Sequence, residues 1–185
     1  MPSEGLDLVI TISGLHGTGK STYARALAEC FMLRHISAGV LFRQIADEKK
    51  LSLQQLSALA ARDKSIDRLV DKRTREEVKA GSLVVDGQLS AWIAGKEADI
   101  KIFLSASDET RFSRIASRDG VSLQEAENLT IKRERLERAR YKRYYHIDIR
   151  DLSIYDIVLN TELLPVESNI AILEMVVREY INNKR

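Results

Sequence analysis

The 185-residue chain contains one cysteine and two prolines. A lone thiol, Cys30, excludes an internal disulfide framework and gives no support to a cysteine-based metal site. Set between Ala28 and Phe31 in an apolar stretch, it reads as a small buried hydrophobe. Pro2 and Pro165 lie near the two ends, and no Pro/Gly-rich linker, internal repeat or low-complexity tract divides the chain. Long apolar runs are missing too: none approaches the roughly 20 residues that span a bilayer. The opening MPSEGLDLVITI has no basic region before its short apolar run, so it reads as a first strand and not as a signal peptide. There is no excess of either charge. A net charge of +2 argues against a protein that grips nucleic acid by bulk charge, so any affinity for phosphate must come from local clusters. With 44% hydrophobic residues, the chain is expected to fold as a single domain over residues 1–185, in the cytoplasm.

What is present alternates. Leu6 to Ser13 (LDLVITIS) has the β-branched, wholly apolar character of a strand buried on both faces. A glycine-rich turn follows, then a helix from about Lys20 to Leu33. Arg34 to Ser37 suits a very short strand, and Val40 to Lys49 a helix. Ser52 and Gln55 form a capping box that opens a helix to about Arg62; a charged helix over Ile66 to Lys79 then stops at Gly81. Ser82 to Asp86 and Ile100 to Leu104 are short apolar strands, separated from a last one at Ile154 to Leu159 by two polar helices. Those helices cover Ser107 to Arg118 and, behind a second capping box at Ser122 and Glu125, the residues up to about Tyr145. After Pro165, Val166, Ile170, Leu173 and Val177 share one helical face that is expected to pack on the core. Strands alternating with helices imply an α/β fold, a parallel sheet covered on both faces.

Gly14-Leu15-His16-Gly17-Thr18-Gly19-Lys20-Ser21 matches the pattern G-x-x-x-x-G-K-[ST] in full, with a buried strand before it and a helix, beginning Lys20-Ser21-Thr22, after it. Each part answers to a polyphosphate. The glycines let the backbone fold inward and present its N–H groups, and the helix start adds the positive end of its dipole. Lys20 would reach the β- and γ-phosphates of ATP, and the Ser21 hydroxyl would ligate Mg²⁺. Asp86 closes an apolar strand at the edge where α/β sheets bind ligands, placed to hold the Mg²⁺ shell or orient a nucleophile. A turn-forming Asp-Gly pair is the plainer reading of the same residues.

No guanine-reading N-K-x-D follows a later strand; the nearest match, Asn182-Asn183-Lys184-Arg185, is a polar tail. The length fits a small kinase, which also needs an acceptor arm and arginines that close on the transferring group. Arg43, in Ser37-Ala-Gly-Val-Leu-Phe-Arg43, offers a bidentate fork for a monophosphate. Arg111, Arg114 and Arg118 share a helical face. Along the next helix, Arg133 and Arg140 make one stripe and Arg135, Arg138 and Lys142 another, of which one can face phosphates and the other is solvated. Glu134 and Glu137 dilute the field that an RNA partner would need. A kinase for another acceptor, a nucleotide switch without turnover and an RNA-associated protein remain as rival readings.

The segment ISAGVLFRQIA resembles the CMP-binding arm of cytidylate kinases, and residues 140–161, RYKRYYHIDIRDLSIYDIVLNT, resemble the signature of the archaeal type. VVDGQLSAWIA stands where that group carries acid-Gly-Arg-Leu-x-x-Trp. The resemblance implies the three-layer α/β/α fold of P-loop nucleoside monophosphate kinases, with an arm over about 37–80 and a helical lid over about 111–145. It implies transfer from ATP to CMP or dCMP with Mg²⁺, by a monomer acting on small molecules without nucleic-acid or membrane partners. Ser37, Gly39 and Arg43 would contact CMP, with Asp86 and Gln88 beside them and Asp148 near its sugar or base. Lys20, Arg114, Arg140 and Arg143 would neutralise the phosphates in flight. Gln88 replaces the family arginine, so either the acceptor is held differently or another arginine substitutes.

Overall fold

A computed structural model describes residues 7–184. Strand β1 (Val9–Gly14) is buried along its whole length, and it forms the centre of a five-stranded sheet. Around it stand β2 (Arg34–Ser37), β3 (Leu83–Asp86), β4 (Ile100–Ser105) and β5 (Ile157–Asn160), in the order β2-β3-β1-β4-β5 and all parallel. Ile12 pairs with Asp86, and Ser37 pairs with the same residue from the other side. The ends of β1, β2 and β3 therefore finish together, and their loops share one edge. Between β3 and β4 the chain crosses from one side of β1 to the other, which opens the crevice where such sheets bind ligands.

Eight helices complete the described residues: α1 (Lys20–Cys30), α2 (Ala38–Glu48), α3 (Leu53–Ala60), α4 (Lys64–Lys79), α5 (Ser90–Ala94), α6 (Asp108–Asp119), α7 (Leu123–Tyr145) and α8 (Val166–Lys184). Alternation along β1 divides them into layers. Ile10 and Ile12 pack toward Leu27 of α1 and Leu173 and Val177 of α8, while Val9 packs with Val78 of α4 and Ala94 of α5. A separate cluster, Ile45, Ala46, Leu56, Ala60 and Ile66, holds α2, α3 and α4 to one another. The fold is the expected three-layer α/β/α sandwich.

Some details differ from expectation. The proposed strand start at Leu6 lies outside the described residues. Val166 is 38% exposed, so the buried face of α8 starts later, at Asn169 and Leu173. The Ser52–Gln55 capping box is complete, whereas at Ser122 only the bond from Glu125 N–H is made. Cys30 is half-buried and accepts from Arg178 Nη2 at 3.2 Å. The short α5 was not anticipated: five residues are too few to show a helical period.

Candidate active site

The glycine-rich turn joins β1 to α1 and is held from outside by the α6–α7 pair. Gly17 has φ 82°, and a Cβ there would lie 2.5 Å from Arg111 O, so only glycine fits. Arg111, 2% exposed, donates from Nη1 to His16 O at 2.7 Å and to Glu134 Oε1 at 2.6 Å. Glu134 Oε1 in turn accepts from His16 N–H at 3.2 Å. Both polar groups of His16's backbone are thus gripped by one buried ion pair. Within the loop, Lys20 Nζ and Thr18 Oγ1 donate to the same carbonyl, Leu15 O, at 2.8 and 2.9 Å. Burial draws the Lys20 pKa down to about 8, although Asp86 and Glu137 pull the other way.

Asp86 gathers the neighbouring strand ends. Its Oδ1 accepts from Ser21 Oγ at 3.2 Å and from Ser37 Oγ at 3.1 Å, and its Oδ2 lies 2.8 Å from His35 Nε2. His35 thus braces this acid. A hydroxyl and a carboxylate are hard oxygen donors of the kind Mg²⁺ takes beside waters and phosphates. Among the described residues no group of three or more His, Cys, Asp and Glu could hold a metal by itself. The donor set therefore fits a cation that arrives with a nucleotide.

A cleft of about 1090 Å³ runs from this loop to the α2–α4 unit. Gly17, Gly19, Lys20, Ser21 and Thr22 line one end, and Ser37, Gly39 and Arg43 line the other, with Asp86 and Gln88 between. Arg43 is exposed and makes no hydrogen bond or ion pair among the described residues. Arg114 reaches the cleft while anchored to Thr161, at 2.9 Å from both its Oγ1 and its carbonyl oxygen. Of the two α7 stripes, Arg133 and Arg140 line the cleft. Arg135, Arg138 and Lys142 face a second hollow of about 600 Å³.

Two expected residues do not reach the cleft. Arg143 is exposed and stacks 5.5 Å from the centre of the Tyr144 ring. Asp148 pairs with Arg150 at 2.8 Å beside the second hollow. Arg143 stands off the α7 face that carries Arg133, Glu137 and Arg140, and for Asp148 the reason is His146, which at φ 59° ends α7 in the left-handed conformation and turns the chain away. Gly14 and Thr18 are buried beneath the loop, and Leu15 packs with Trp92 and Tyr141, so these three shape the loop from behind.

Other site residues escaped the sequence reading. Glu137, read as diluting a surface field, is buried under the loop, with His16 Nε2 2.7 Å from its Oε2 and Arg133 Nε 2.9 Å from its Oε1. Burial raises its pKa, but His16 and Arg133 outweigh that and hold it at about 2. Gln88 Nε2 donates to Glu137 Oε2 at 2.8 Å and leaves Oε1 buried without a hydrogen-bond partner. Arg133 reaches the same carboxylate, so a guanidinium stands beside Gln88. Asp67 and Asp71 of α4 also line the cleft; Asp67 Oδ2 is 3.1 Å from Arg140 Nε, and Asp71 Oδ2 accepts from Tyr145 OH at 2.5 Å.

This arrangement agrees with what the chain is similar to. Residues 9–163 match the model of the cytidylate kinase-like family. A cytidylate kinase of Staphylothermus marinus is 49% identical over 174 residues, 94% of this chain and 98% of that protein. One from Pyrococcus horikoshii is 43% identical over 94% of this chain and 89% of the relative. The chain belongs to the cytidylate kinase-like family. Its fold extends further: a shikimate kinase from Bacteroides thetaiotaomicron superposes with a TM-score of 0.65 at 15% identity, over 92% of this chain and 98% of that one. Within the cytidylate kinase-like family, then, this member presents its glycine-rich loop and Arg43 of α2 to one cleft.

Proposed function

We propose that the chain transfers the γ-phosphoryl group of ATP to CMP, and also to dCMP, giving ADP and the diphosphate. The observation that carries this reading is the double hydrogen bond at Asp86, which ties Ser21 of the phosphate loop to Ser37 at the start of the arm. Donor and acceptor ends are thereby held within one cleft, as direct transfer between two bound nucleotides requires.

In this reading the loop N–H groups, Lys20 and Arg114 hold and neutralise the triphosphate, and Arg43 forks onto the acceptor phosphate. An acceptor phosphate oxygen is already a competent nucleophile at neutral pH, so transfer needs alignment and charge neutralisation, with no general base. Arg133 adds a second lid cation. Arg140 is held at the acceptor end by Asp67. Ser21 and Asp86 would hold Mg²⁺, which supplies charge neutralisation on the phosphates when bound. Residues 37–80 act as the arm and 111–145 as the lid, excluding water that would otherwise hydrolyse ATP. The chain works as a monomer in the cytoplasm on small-molecule substrates.

An acceptor panel tests the proposal. With ATP present, CMP and dCMP should stimulate ADP release far more than UMP or AMP. ADP release unaffected by CMP would overturn it.

A further inference from the structure

We propose that the second hollow, between α6, α7 and the turn after α7, binds a nucleoside triphosphate, and that its occupancy weakens ATP binding at the glycine-rich loop. The hollow encloses about 600 Å³, within the roughly 300–1,000 Å³ of small-molecule sites, and shares no lining residue with the cleft. Three carboxylates line it, and each is already paired: Asp108 and Glu134 with Arg111, both at 2.6 Å, and Asp148 with Arg150 at 2.8 Å. Three cations are not. Arg135, Arg138 and Lys142 recur at i, i+3 and i+7 on α7, and their side chains make no hydrogen bond or ion pair among the described residues. Lys142 acts on Asp148 only through its field. The hollow keeps an excess of two positive charges, and its stripe of cations covers roughly 10 Å of helix axis. Beside the stripe, Phe112, Ala139, Ile147 and the half-exposed Ile131 supply an apolar wall. A polyphosphate answers the unpaired cations, and a nucleoside answers the wall, which a bare phosphate would leave wet. An RNA strand would need a broad basic surface, and a chain of net charge +2 supplies none.

The floor of the hollow joins it to the glycine-rich loop. Arg111 and Glu134 both line it, and they hold His16 O at 2.7 Å and His16 N–H at 3.2 Å. Glu134 stands directly before Arg135 and one helical turn before Arg138. A triphosphate on these two arginines sets negative charge against Glu134 and offers Arg111 a competing anion, so the grip on the His16 backbone loosens. ATP affinity falls with it, and by linkage bound ATP weakens the ligand in the hollow to the same degree.

The test follows the Kd of a fluorescent, non-hydrolysable ATP analogue, with CTP as the probe of the hollow. CTP should raise that Kd about fivefold or more and then level off, as an effector at a separate site does. Arg135→Ala/Arg138→Ala/Lys142→Ala changes only exposed side chains, so the variant should fold and bind the analogue as the wild type does. It should need at least about tenfold more CTP for the same shift, the loss expected when charged hydrogen bonds are removed. A Kd that climbs without limit, equally in both proteins, means that CTP merely competes in the cleft and overturns the proposal. A Kd that CTP leaves unchanged overturns it too. Single-stranded RNA bound through the same three residues, with no effect of CTP, gives the surface to nucleic acid instead. Because the readout is binding and not turnover, a chain that fails to phosphorylate CMP sinks the proposed function and leaves this test standing.

Discussion

Lys20 keeps an ammonium in a loop where desolvation favours the neutral amine, with a pKa near 8 instead of the ordinary 10.5. Binding and folding therefore respond to pH in opposite senses. In the free chain the ammonium is lost as pH rises through about 8, so kcat/KM for ATP should fall above that value. Folding gains over the same range: between about 8 and 10.5 the unfolded chain still holds a proton that the folded chain has released, so Lys20's contribution to stability rises with pH. Lys20→Met should lower kcat about a hundredfold or more, as losing one preorganised charge donor does. The same substitution should raise nucleotide-free stability by roughly 1 kcal/mol, about 2–4 °C in Tm for a chain of this size. Parallel kinetics and thermal melts check both halves; a variant that loses activity and stability together contradicts the account. Arg43→Ala should raise the KM for CMP by about tenfold with little change for ATP, because its fork has no other partner to lose. An unchanged KM would remove Arg43 from the acceptor site. The phosphate loop was readable from sequence because its constraints are local, from Gly14 to Ser21. Glu137 was not, because its partner His16 lies 121 residues away.

At the scale of elements, α7 is where sequence reading and structure diverge most. Thr130, Glu134, Glu137 and Tyr141 are buried, while Leu129, Ile131 and Leu136 are exposed. Hydropathy places carboxylates outside, and here it points to the wrong face. The inversion is stable because Arg111, Arg133, Gln88 and the His16 backbone supply donors to both carboxylates. The α4 face bearing Asp67 and Asp71 was hidden for the same reason. Helix existence, by contrast, was legible wherever caps and breakers stood at the ends, as at Ser52 and Gly81. The buried Arg111–Glu134 pair gives the element-scale prediction. Arg111→Met strands Glu134's charge and should cost about 3–5 kcal/mol in urea unfolding. Adding Glu134→Leu should restore most of that, since an apolar pair is often as stable as a buried ionic one. The KM for ATP should stay raised in the double variant, because both side-chain contacts to the His16 backbone are gone. Recovery of stability and ATP affinity together would show that the pair serves packing alone.

Across the whole molecule, the alternation of strands and helices was enough to anticipate a parallel sheet with its phosphate loop at one edge. That the α3–α4 segment and α7 touch across the cleft was not, since those bonds join residues about 80 apart in sequence. Lys64 Nζ donates to Tyr144 O at 2.7 Å, Tyr144 OH donates to Ala61 O at 3.1 Å, and Asp67 meets Arg140. The α2–α4 unit has its own apolar cluster and can respond as a body. Because α7 also grips the phosphate loop through Glu134 and Glu137, the occupant of either end acts on the same helix. The two nucleotides should therefore bind cooperatively. A non-hydrolysable ATP analogue at about 100 times its Kd should stabilise the fold by about 2.7 kcal/mol, a Tm rise of roughly 5–11 °C. CMP added with it should raise the melting point by more than the sum of the separate effects. Amide exchange should slow most in α4 and α7, the elements joined across the cleft. Purely additive shifts, with protection confined to each ligand's own end, would show that the cleft holds two independent sites.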